Sequence, residues 1–102
     1  MRMMLKAVMP VEKGNQAIKD GSLPRLIETV MKELEPESAY FYAENGKRSC
    51  QMVFDMKDTS QIPVVAERFF MDLNAELSIT PVMTAEDLKK GLDAAMAAKS
   101  RA

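Results

Sequence analysis

The pair Asn45-Gly46, set between SAYFYAE and KRSCQMVFDM, constrains this chain more than any other stretch. A two-residue type I′ turn needs φ > 0 at both central positions, which Asn tolerates and Gly adopts freely. Flanking arms rich in aromatic and β-branched residues complete the hairpin signal. The spacing predicts a hairpin from Ser38 to Met56. With Glu44 and Lys47 flanking the turn, Ala43 pairs with Arg48, Tyr42 with Ser49, Phe41 with Cys50, Tyr40 with Gln51 and Ala39 with Met52. Directly paired residues share a face and neighbours alternate. One face therefore carries Ala39, Phe41, Cys50, Met52 and Phe54 and reads as core. The other carries Tyr40, Tyr42, Ser49, Gln51, Val53 and Asp55. Its mixed character makes it the place to look for function.

The remaining elements follow from periodicity and punctuation. Met3 to Met9 is nearly continuous in apolar residues and reads as a central strand ended by Pro10. Val11 to Gly21 reads as a loop with one helical turn around Asn15 to Lys19. Ser22 as N-cap, Pro24 in the first turn, and Leu23, Leu26, Ile27, Val30, Met31 and Leu34 at helical spacing predict a helix over 22–34, stopped by Glu35-Pro36. Lys57 to Ser60 is a cap region, followed by a helical stripe of Ile62, Val65, Ala66, Phe69, Phe70 and Leu73. Ala75 to Val82 alternates as a fourth strand, with Leu77 and Ile79 on one side. Thr84 and Asp87 form a capping box that opens a last helix over about 84–98, with Leu88, Leu92, Ala95 and Met96 as its apolar side. Met83 is placed to staple onto Leu88, and Ala97 to Ala102 is expected to fray.

The order is β-α-β-β-α-β-α within one domain spanning 1–102, its core over about 3–82. The economical fold is α+β, a ferredoxin-like βαββαβ sandwich with an extra C-terminal helix. Its four-stranded antiparallel sheet runs 4-1-3-2, with the first two helices on a single face.

Composition narrows function by exclusion. A net charge of -1 and a pI near 5.5 argue against nucleic acid, which selects basic patches. One cysteine forms no internal disulfide, so the reducing cytoplasm is the natural setting. No apolar run approaches the length of about 20 residues that spans a bilayer, and MRMMLKAVMPVEK lacks the centre of a signal peptide. With no histidine in the chain, a His-ligated haem, a His-bound zinc and a His general base are ruled out. Thioethers suit Cu(I), yet Met1, Met3 and Met4 fit packing better than that metal. No metal and no cofactor is expected.

A bare sheet face needs covering. The element order over residues 3–82, the stretch GNQAIKDGSLPRLI, the hairpin tyrosines and PVMTAEDLKKGL resemble small bacterial members of the dimeric α+β barrel superfamily. In that superfamily two ferredoxin-like protomers pack their open sheet faces together, and a helix after the fourth strand is common. The resemblance implies a homodimer. Its enzymatic branches include cofactor-independent monooxygenases, haem-degrading enzymes, chlorite-dismutase-like proteins and muconolactone isomerases. Their sites lie between sheet and helices or inside the barrel. Haem-dependent members rely largely on a histidine this chain lacks, and no functional residue carries over.

The candidate ligand-binding set is Tyr40, Tyr42, Ser49 and Gln51 on the open face, with Lys6 supplying charge if strand one turns it the same way. Against a binding site stands a wet subunit interface, favoured because tyrosine buries area while keeping a polar tip. Cys50, opposite Phe41 on the core face, reads as inert packing. The carboxylate pairs Asp55/Asp58 and Glu35/Glu37 sit at element boundaries and lack a third ligand. No GxxxxGK[ST] or GxGxxG loop is present. RNA recognition on this sheet needs central aromatics where strand three offers Ser49, Gln51 and Val53. Glu86-Asp87-Leu88-Lys89-Lys90 is a solvated helix face. The expected function is that of a small cytoplasmic homodimer holding a small polar or aromatic ligand, with no nucleic-acid or membrane partner. The alternative is a cofactor-independent monooxygenase or isomerase working from the open face.

Overall fold

Asn45 and Gly46 take φ values of 52° and 76°, both left-handed as a type I′ turn demands. Strand β2 (Ser38–Glu44) therefore folds back on β3 (Lys47–Asp55) in the computed structural model, which describes residues 1–101. The pairing keeps the register read from the turn, with Tyr40 opposite Gln51, Phe41 opposite Cys50 and Tyr42 opposite Ser49. Strand β1 (Arg2–Val8) lies antiparallel to β3, and β4 (Glu76–Pro81) lies antiparallel to β1, giving the order β2-β3-β1-β4. The apolar run of β1 thus occupies a central position. It buries Met3, Leu5 and Ala7 on one side and leaves Met4, Lys6 and Val8 half-buried on the other.

Four helices complete an α+β chain: α1 (Val11–Lys19), α2 (Ser22–Leu34), α3 (Gln61–Leu73) and α4 (Ala85–Ser100). Helix α2 buries Leu23, Leu26, Val30 and Leu34, and α3 buries Val65, Ala66, Phe69 and Leu73. These close over Leu5, Cys50, Met52 and Phe54 to form one core on a single side of the sheet.

Several expectations are corrected. The segment after Pro10 is a helix of nine residues rather than a loop. Pro10 sits at φ -59°, ready for a first turn, and Glu12 and Lys19 complement the helix dipole at its two ends. The only residues α1 buries are Gly14 and Ala17, so it carries no bulky apolar stripe for a periodicity reading to find. Ser22 is not the cap of α2: Gly21 holds that position at φ 80°, and the Ser22 amide donates to Asp20 Oδ1 at 2.8 Å. Ile62 and Phe70 of the α3 stripe stay exposed. The Thr84–Asp87 capping box is present, each bond at 3.1 Å, but Met83 and Leu88 both remain exposed. Helix α4 continues to Ser100 through most of the stretch expected to fray, and Ala102 lies outside the described residues.

Helix α4 buries nothing. The radius of gyration is 17.0 Å, with extents of 60 × 29 × 20 Å, against about 13 Å for a compact chain of this length. The excess is α4, standing off the end of β4. Among the described residues no helix is long and apolar enough to cross a membrane.

Candidate functional site

The register sets the open sheet face out in rows. Ser38, Val53, Met4 and Thr80 form one; Tyr40, Gln51, Lys6 and Ser78 the next; Tyr42, Ser49, Val8 and Glu76 the third. All five residues of the candidate set, Lys6, Tyr40, Tyr42, Ser49 and Gln51, therefore share this face. Their polar groups are largely engaged with the protein itself. Lys6 Nζ lies 2.7 Å from Glu44 Oε1, reaching across β3, and this bond holds its pKa above the ordinary range. Ser49 is buried and donates to the Lys47 carbonyl at 3.2 Å. Gln51 Nε2 donates to Met4 Sδ at 3.1 Å. Tyr40, 67% exposed, and Tyr42 present rings to solvent. The face holds one small hollow of about 240 Å³, lined by Lys6, Val8, Glu44, Glu76, Leu77 and Ser78, which takes in Lys6 but none of the other four candidates.

A concave site lies on the other side of the sheet. Phe41 points toward the helices as the register requires, yet it is 55% exposed instead of core. Alternation fixes the side to which a residue points, not whether anything lies above it. β2 is an edge strand, and α2 leaves Phe41 uncovered. The result is a cleft of about 510 Å³ between α2 and the hairpin, walled by Met9, Leu23, Pro24, Ile27 and Phe41. Arg48, Glu28, Tyr42 and Ser49 border it.

Arg48 is fixed by α1. Its Nη1 donates to Asn15 Oδ1 at 2.8 Å, and a Cβ on Gly14 would stand 3.1 Å from the same nitrogen, so the missing side chain leaves room for the guanidinium. Among the described residues Arg48 pairs with no carboxylate, and Glu28 is itself 3.2 Å from Lys32. The cleft thus combines an apolar floor with one anchored cation that retains free donors in fork geometry. A larger hollow of about 870 Å³ along α1 is lined by Glu12, Lys13, Asn15, Gln16, Lys19, Asp20 and Asn74 and offers no apolar wall.

In the hairpin register Arg48 shares the helix-side face with Cys50, where the sequence offers it only as a cation near that thiol; its anchor Asn15 belongs to a helix that reads as a loop. The signal available was the dipole pattern Glu12…Lys19 between Pro10 and Gly21. Cys50 lies in the core as expected, fully buried, its thiol pushed up to about 11 by desolvation against a weaker opposing pull from the Ala7 backbone. It is not a nucleophile at neutral pH. A thiol reagent is expected to label it quickly in denaturant and only at the rate of opening in native protein. Because the unfolded thiol ionises first, stability should fall as the pH climbs from its ordinary value of 9.0 toward about 11. Fast native labelling would overturn the burial. Among the described residues no cluster of three or more acidic, Cys or His side chains converges on a metal position.

Compared with models of protein families the chain matches none, and it matches no curated protein in sequence.

Proposed function

We propose that this chain is a ligand-binding protein built on the ferredoxin-like βαββαβ pattern, with α1 and α4 added, and that it works in the cytoplasm as a homodimer whose open sheet faces pack together as in dimeric α+β barrels. The cytoplasmic setting rests on the single buried thiol, and the pairing on the open face, which no helix covers and which carries Tyr40, Tyr42, Met4, Val8 and Val53. The ligand is a small molecule with an aromatic or aliphatic body and a carboxylate. One observation carries this reading: an uncovered apolar cleft beside Arg48, a cation held by Asn15 and Gly14 rather than by an acid. Binding pockets are mostly apolar with a few placed polar groups, and a guanidinium accepts a carboxylate through two parallel bonds.

The test is calorimetric titration with aromatic carboxylates such as phenylacetate, each beside its neutral amide. Acids are expected to bind more tightly than amides. Arg48→Gln should weaken the acids by about ten- to a hundredfold, the worth of a charge-assisted hydrogen bond at ~1.5–3 kcal/mol, and leave the amides unchanged. Equal affinity of acid and amide for the wild-type protein would sink the proposal.

A further inference from the structure

Helix α4 is the largest unexplained feature of the molecule. Leu88, Leu92 and Met96 are 48%, 55% and 63% exposed, in line at intervals of four residues, and Ala95 lies on the same side. No other element packs on this helix to any extent. Its capping box fixes its start, so it is a formed helix rather than a trailing end. Gly91 sits in the middle of it, where glycine disfavours helix, and a Cβ there would meet nothing within 4 Å. Nothing within the protomer therefore requires the small residue.

We infer that α4 is an association arm, and that its partner is α4 of a second copy, lying antiparallel across a two-fold axis at Leu92. The pattern of the helix is self-complementary about that residue. In an antiparallel pair Leu92 meets Leu92, and Leu88 of one arm meets Met96 of the other on either side, an isologous contact that closes. Gly91 and Ala95 at the seam let the two backbones approach, in the manner of facing holes for leucine knobs.

Charge selects the direction. The first turn carries Glu86 and Asp87, and the last carries Lys99 with Arg101 just beyond. Antiparallel pairing sets acidic ends beside basic ends twice over, whereas a parallel pair would set like charges together. Lys99 falls on the stripe itself, where its stem covers apolar surface and its ammonium faces the partner's acidic turn. This contact uses none of the open sheet face. It is independent of the pairing proposed above, and the two together permit a tetramer.

The test uses the full chain. Leu92→Cys places thiols on the axis, and mild oxidation should cross-link it at least about tenfold faster than Lys90→Cys on the opposite side of the same helix, a contrast that mere collision does not produce. Because α4 is exposed throughout, Leu92→Glu cannot unfold the protomer. It should weaken association about a hundredfold in sedimentation, the cost of desolvating facing carboxylates. Lys99→Glu should weaken it too, and adding Glu86→Lys should restore it. Equal cross-linking of the two cysteine variants, or unchanged sedimentation of Leu92→Glu, would overturn the inference. A Leu92→Glu variant that melts lower without a change in mass would place the arm on its own sheet instead and equally refute it.

Discussion

Replacing Phe69 by alanine is expected to lower the free energy of unfolding by about 3–5 kcal/mol, the upper range for emptying a core position. Phe69 is fully buried on the sheet-facing side of α3, among Leu5, Met52, Phe54 and Leu73. Every large core side chain lies on the helix side of the sheet, so the fold has a single hydrophobic layer and no second one to compensate. A domain of this size is stable by about 5–15 kcal/mol in total, and the substitution removes a large fraction of that. Loss of the ring also leaves a void that β1 and β3 cannot close, since their spacing is fixed by the ladder. Urea unfolding followed by circular dichroism measures it. The midpoint should fall steeply at unchanged slope, and a loss below about 1 kcal/mol would contradict the packing described here.

The contrast between Phe69 and Phe41 shows how far the sequence was readable. Both are aromatic, and both point toward the helices. Periodicity along one helix identified Phe69 as core because that helix packs Val65, Ala66, Phe69 and Leu73 of its stripe inward, although Ile62 and Phe70 stay outside. Alternation along β2 put Phe41 on the correct side but did not reveal that an edge strand extends past its covering helix. The hairpin and α2 were legible because their signals are local: positive φ at Asn45-Gly46, and leucines at regular spacing after Pro24. Helix α1 was not, because Gly14 and Ala17 are its buried residues and glycine reads as a loop. The error spread to the site. Without α1, Arg48 has no partner in Asn15, and the cleft beside it has no reason to hold a charge. For α4 the apolar stripe was visible, while its surroundings depend on contacts that no local pattern encodes.

The open sheet face gives the second large effect. Tyr40→Glu together with Val53→Glu is expected to abolish pairing through that face and yield a folded species of half the mass. The two positions stand in adjacent rows on β2 and β3, on the half of the open face nearest the hairpin edge. Both point away from the core, Tyr40 to solvent and Val53 half-buried, so carboxylates there meet water in the isolated protomer and cost it little. In a dimer paired through this face the same carboxylates, two from each chain, would lose that water. The cations on this face do not compensate: Lys6 is held by Glu44, and Arg2 Nε is 2.5 Å from Glu37 Oε1. Desolvating an unpaired carboxylate costs several kcal/mol. With four of them, even a nanomolar contact, worth about 12 kcal/mol, would be lost at working concentrations. Sedimentation equilibrium reads the result directly, and retained secondary structure separates dissociation from unfolding. A variant that keeps the wild-type mass would show that this face is not the interface. If Leu92→Glu changed the mass while this variant did not, association would rest on α4 alone.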